Sequence, residues 1–127
     1  MLKAILLVGI GGGTGSILRY LTSYLVIKYF DKPFPLSTFV VNMLGCFAMG
    51  LLIGVIGRHL PVENDLRNLL LIGFCGGYTT FSAFAYENTS LLQSNQYFAL
   101  ISYILLSVIF GMVLLWLGLT ITRHSAV

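Results

Sequence analysis

The chain has 127 residues, 57% of them hydrophobic and only 9% charged, with a mean hydropathy of +0.94. That leaves too little polar surface to clothe a soluble globule of this size, and a net charge of +3 suits a protein facing anionic lipid without calling for nucleic acid. Two cysteines, Cys46 and Cys75, both inside apolar runs, read as small buried hydrophobes rather than as a disulfide or a metal pair.

The first apolar run predicts a membrane-spanning helix over residues 4–27, because ~20 apolar residues rising about 1.5 Å each cross a hydrocarbon core about 30 Å thick. Met1-Leu2-Lys3 could open a signal peptide, but the apolar stretch continues past Arg19 to Ile27 without a cleavage site, so it is read as retained. Gly9 with Gly13 and Gly11 with Gly15 stand four apart and present small faces to neighbouring helices. The same cluster lacks the lysine and the preceding strand of a phosphate-binding loop. Arg19 is the one charge inside this run. It needs snorkelling, a water-filled cavity or a partner; a cation at a cavity mouth gathers anions, while an arginine tying off backbone carbonyls reads equally well.

Lys28, Asp31 and Lys32, followed by Pro33 and Pro35, mark a gap before a second span over 35–57, which carries Thr38 and Asn42 four apart and the pair Gly50 and Gly54. Arg58, His59, Pro61, Glu63, Asp65 and Arg67 fill the next gap. The third span, 69–86, holds Gly76-Gly77-Tyr78-Thr79-Thr80, and helix-weakening residues at membrane depth predict a helix broken near Gly76-Gly77. Such breaks free carbonyls and helix ends for ions. Beyond it Phe81 and Phe84 share a face, with Ser82 between them; ring edges carry the positive part of the aromatic quadrupole and can favour an anion without a charge to trap it. Glu87 closes the span and is expected at the interface, before a polar gap from Asn88 to Gln96. The fourth span, 97–122, ends at Arg123 and His124 and carries Tyr103 and Ser107 four apart, then Gly111 without a donor, and Thr120 deeper along. Any one of these polar side chains also serves as interhelical glue.

With four spans both termini share a side, which then holds Lys3, Arg58, Arg67 and Arg123 against Lys28 and Lys32 on the other. So weak a bias predicts insertion both ways up, and two opposed copies then assemble as an antiparallel dimer.

Three stretches in order carry a family likeness: Gly12-Gly13-Thr14-Gly15-Ser16 with Leu18-Arg19-Tyr20; Thr38-Phe39-Val40-Val41-Asn42-Met43-Leu44-Gly45-Cys46-Phe47; and Gly73-Phe74-Cys75-Gly76-Gly77-Tyr78-Thr79-Thr80-Phe81-Ser82-Ala83-Phe84. Over essentially its whole length the chain resembles the Fluc (CrcB) fluoride channels. The resemblance implies an all-α membrane protein of four helices, a dual-topology antiparallel homodimer in the bacterial inner membrane. It implies a fluoride-selective channel that exports fluoride passively and protects against its toxicity. By the same likeness Phe81, Phe84 and Asn42 are pore residues, with Thr38 and Ser82 beside them; Tyr103 and Ser107 form a polar track; Arg19 belongs to a vestibule. Gly76 and Thr79 supply backbone carbonyls to a structural sodium ion at the dimer centre. Ala83 departs from the family, many of whose members carry a hydroxyl there, and Gly111 leaves the far end of the track without a donor.

Other classes fit less well. A small multidrug exporter, also a four-helix dimer, needs a carboxylate in the first span, where this chain has Arg19. A purely structural subunit leaves Thr79-Thr80-Phe81-Ser82 without a purpose. An enzyme needs a buried nucleophile, base and orienting group, which these few ionisable residues do not supply, and no ATP-binding motif or membrane-buried proton carboxylate points to a pump.

Overall fold

The computed structural model describes residues 1–30, 34–59 and 64–124; Asp31, Lys32, Pro33, Pro61 and Glu63, which the sequence assigns to gaps, lie outside them. Helix α1 covers Leu2–Tyr29 and α2 covers Leu36–His59. The third span begins as α3 (Asn64–Leu66), widens into a π-helical stretch (Arg67–Cys75), tightens as α4 (Gly76–Tyr78) and resumes as α5 (Phe81–Gln93). Helix α6 covers Tyr97–His124. Four stretches are long and apolar enough to cross a membrane: Leu2–Tyr29, Leu36–Gly57, Arg67–Gln93 and Tyr97–Arg123. The chain is an all-helical, multi-pass membrane protein.

Glycine decides how the spans pair. A methyl at Gly11 would overlap the Leu69 carbonyl oxygen, one at Gly15 the Phe74 carbonyl oxygen, and one at Gly77 the Gly12 carbonyl oxygen, so α1 and the third span touch backbone to backbone. Both sets of positions rise together, so these two spans run parallel. Helices α2 and α6 form a second parallel pair: Gly50 meets Leu115 and Leu119, Gly54 meets Thr122, and a methyl at Gly118 would lie 2.6 Å from the Phe47 carbonyl oxygen. Gly9 and Gly13, which share a face in the sequence, meet nothing within 4 Å. An ion pair between Lys3 and Asp65 joins the ends of the first pair, but at 74% and 41% side-chain exposure it adds about 0–1 kcal/mol.

Gly77→Ala is therefore expected to destabilise the protein by about 1–3 kcal/mol, the usual cost of overpacking. Gly13→Ala should leave it near wild type. The check is the midpoint of thermal unfolding in detergent, followed by the loss of monodisperse protein.

The break in the third span falls at Thr79–Thr80, beyond the glycine pair. Gly76 keeps helical angles, φ −64° and ψ −35°, whereas Thr79 (φ −79°, ψ 159°) and Thr80 (φ −146°, ψ 122°) are extended. The glycines stay helical because their value lies in close approach to α1. The chain opens where another helix supplies substitute hydrogen bonds, and that helix is α2.

Candidate functional site

Asn42 on α2 reaches the break with both ends of its amide. Its Nδ2 donates to the Thr80 carbonyl at 3.0 Å, and its Oδ1 accepts from the Thr80 N–H at 2.8 Å. Backbone groups opened at membrane depth must be satisfied, and this one side chain satisfies a donor and an acceptor together. One hydrogen of Nδ2 remains beyond these bonds. Thr80 then starts α5 as an N-cap, its Oγ1 accepting from the Ala83 N–H at 3.3 Å. In an unbroken helix the Thr80 N–H would bond the Gly76 carbonyl; here that carbonyl loses its partner to Asn42.

Helix α5 leads away from the break with Phe81 and Phe84 side by side, ring centroids 5.8 Å apart, and Phe84 lies 5.0 Å from the Tyr103 ring. Phe81 is 78% exposed although it stands mid-span. Asn42, Thr80, Phe81, Phe84 and Ser107 line a single cavity of about 370 Å³. Ser107 Oγ is buried and has no hydrogen-bond partner. An unpaired hydroxyl at such a depth costs free energy unless something accepts its hydrogen.

Glu87, expected at the interface, is half-buried against two other helices. Thr38 donates to its Oε1 at 2.6 Å and Tyr103 donates to its Oε2 at 2.8 Å, tying α2, α5 and α6 together. Thr38 is 6% exposed and Tyr103 is 0% exposed. A signal for this existed in the sequence, since Glu87 follows Phe84 by three residues and so shares its face. Neutral hydroxyls donating to a carboxylate make short, strong bonds that offset much of the cost of placing the charge there.

On the other side of the break a second cavity, about 300 Å³, is lined by Ser16, Arg19, Ser23, Thr38 and Thr80. Thr80 and the break thus form the wall between an aromatic cavity and a hydroxyl-lined one. Among the described residues Arg19 has no carboxylate partner, so its charge faces a cavity rather than an acid. Ser16 donates to the Gly77 carbonyl at 3.4 Å, and Thr22 shares a 3.1 Å hydrogen bond with the Tyr78 hydroxyl, which fastens α4 to α1. Ser82 is exposed, sits 3.3 Å from the Thr80 hydroxyl, and lines neither cavity. Thr120 donates to the Leu117 carbonyl of its own helix at 2.9 Å.

The sequence candidates therefore divide. Asn42, Phe81, Phe84 and Ser107 come together around one space; Thr38 and Tyr103 meet through Glu87; Arg19 opens onto a separate space that Thr38 also touches.

Comparison with known proteins covers nearly the whole chain. Residues 6–119 match the family described as CrcB-like protein, Camphor Resistance (CrcB). A protein of Azobacteroides pseudotrichonymphae is 46% identical over 123 residues, which covers 97% of this chain and 98% of the relative. One of Flavobacterium psychrophilum is 47% identical, covering 97% and 99%, and one of Phocaeicola vulgatus is 42% identical, covering 93% and 97%. Each of the three bears the name fluoride-specific ion channel FluC, the name of a channel and not of an enzyme. The chain belongs to the CrcB family of membrane proteins.

Proposed function

We propose that the chain forms a fluoride-selective channel through which fluoride leaves the cytoplasm passively, protecting the cell against its toxicity. The observation that carries this reading is the cavity at the break, lined together by Asn42, Ser107, Phe81 and Phe84, with the Ser107 hydroxyl buried and unpaired beside it. Fluoride is small and strongly hydrated, so a pore must replace its water with hydrogen-bond donors and ring edges at close quarters. No lysine lines the space to hold the ion too firmly. Fluoride enters acidified cells as its neutral acid and dissociates in the more alkaline cytoplasm; the membrane potential then drives the anion outward through any selective pore.

Thr38 and Tyr103 have one hydroxyl hydrogen each, and both are given to Glu87. Fluoride reaching them must exchange with the carboxylate, so Glu87 holds the donors in position and competes with the ion. Arg19, facing the hydroxyl-lined cavity, raises the local anion concentration on that approach. Ser82 lies next to this path and contributes through Thr80.

The working unit in this reading is an antiparallel dual-topology homodimer with two pores, in the bacterial inner membrane. Phe81 supports it: a ring 78% exposed in mid-span, beside a cavity that its own chain leaves open, fits a second copy. A sodium ion at the centre is consistent with the carbonyl of Gly76, released by the break, and with that of Thr79 next to it. Among the described residues no group of three His, Cys, Asp or Glu side chains is placed to hold a metal, so a cation there would rely on backbone oxygen, which suits a hard ion. One copy offers two such carbonyls, fewer than the roughly six to eight oxygens that a hard cation such as calcium gathers; a second copy doubles them. The bound sodium would supply fixed positive charge and hold the breaks together.

Liposomes loaded with fluoride and containing the purified protein are expected to release it when a potassium ionophore sets the potential, and to retain chloride under the same conditions. Absence of fluoride release, or equal release of both ions, would overturn the proposal.

A further inference from the structure

We propose that the Cys46 thiol is the third donor along the ion path, standing where Gly111 leaves α6 without one. The inference rests on the channel reading above and gives a role to a residue to which the resemblance assigns none.

Two ladders carry it. On α2, Thr38, Asn42 and Cys46 follow one another at four-residue intervals; on α6, Tyr103, Ser107 and Gly111 do the same. Residues so spaced share a helix face. The helices run parallel and keep one offset, since Gly50 meeting Leu115 and Gly54 meeting Leu119 continue the spacing of the ladder pairs. The rungs therefore face each other in order. Thr38 and Tyr103 are joined through Glu87. Asn42 and Ser107 line the same cavity. At the third rung a Cβ built on Gly111 would lie 3.5 Å from Cys46 Sγ.

Cys46 is half-buried and lines the cavity with Ser107, whose buried hydroxyl has no hydrogen-bond partner and so leaves a donor unused beside it. Beyond Ser107 the wall continues with Met49 and Leu115, which donate nothing, so the thiol is the one side-chain donor on that stretch. Thr120 is no substitute, because its hydrogen goes to the Leu117 carbonyl. Cys75 has the opposite character: 1% exposed, it lines neither cavity and fills space. A thiol is a weak donor, and fluoride, the strongest acceptor among the halides, draws the strongest bond that such a donor can give, one contact among several that replace its water.

The test is fluoride efflux from liposomes containing wild type, Cys46→Ala, Cys46→Ser, or the double variant Cys46→Ala with Gly111→Ser. The 3.5 Å clearance leaves Gly111 room for a Cβ in ordinary contact. Cys46→Ala should lower flux about tenfold, Cys46→Ser should keep at least half of it, and the double variant should recover most of the loss by returning a hydroxyl from the opposite helix. A packing role is separated by the double variant Cys46→Ala with Gly111→Ala, which returns volume beside the vacated sulfur without a donor and should stay slow. Cys46→Val, which fills the space without donating, guards against an alanine variant that fails to fold and should also be slow. Alanine or valine variants as fast as wild type, or a serine variant as slow as alanine, would overturn the assignment. Wild type is measured first: if it carries no fluoride the channel reading itself fails, whereas a fast wild type with a fast alanine variant removes only the third rung.

Discussion

Replacing Asn42 by alanine is expected to reduce fluoride flux by about a hundredfold or more. The side chain gives one bond and takes one at Thr80, at 3.0 and 2.8 Å. Its loss leaves the N–H and C=O of half-buried Thr80 without this partner, each at a cost of up to about 3 kcal/mol, and each 1.4 kcal/mol is about tenfold in an equilibrium constant. The open geometry at Thr79–Thr80 is then no longer the favoured one, and the cavity that depends on it loses its shape. Asn42→Asp separates this positioning role from a direct role in hydrogen-bonding the ion. A carboxylate still accepts from the Thr80 N–H but gives nothing to fluoride and repels it. Flux should fall in both variants, while hydrogen exchange at the Thr80 amide should quicken in the alanine variant and stay slow in the aspartate one. Equal exchange in all three proteins would mean that Asn42 does not hold the break.

Phe81→Ile should lower flux at least about tenfold without disturbing the fold. Phe81 is 78% exposed in the single chain, so its ring adds little to the packing of its own subunit. What isoleucine lacks is the positive ring edge, and with it the favourable term that a quadrupole offers an anion in a water-poor slot. A loss of about 1.4 kcal/mol at the barrier is a tenfold loss of rate. Phe84 is less clean a target, since its ring also packs 5.0 Å from that of Tyr103. The measurement is the initial rate of efflux at equal protein density, with size-exclusion profiles compared beforehand. Rates near wild type in the isoleucine variant would mean that the path runs elsewhere.

The helix break shows where local reasoning stops. Composition around Gly76-Gly77-Tyr78-Thr79-Thr80 announces a weakened helix, but it does not say which peptide opens. Glycine has the lower helix propensity, yet Gly76 stays helical and Thr79 and Thr80 do not. The choice depends on two partners distant in sequence: Gly12, whose backbone lies against Gly77, and Asn42, whose amide stands ready at Thr80. Glu87 makes the same point. A carboxylate near the end of an apolar run reads as interfacial, and the run does not show that Thr38 and Tyr103 approach it from two other helices and make its partial burial tolerable.

By itself the sequence determined that this is a four-span membrane protein whose helices pack through glycine, and it named Asn42, Phe81, Phe84 and Ser107 among the residues around the aromatic cavity. Those properties follow from hydropathy, from charge cost and from the four-residue period of one helix, all of which are local. The tertiary structure decided that the spans pair as two parallel sets, that the chain opens at Thr79–Thr80, that Thr80 divides two cavities, and that Cys46 stands opposite Gly111. Each of these depends on the register between helices far apart in the chain. That register is set by glycine contacts and side-chain-to-backbone bonds whose partners the period of a single helix cannot identify.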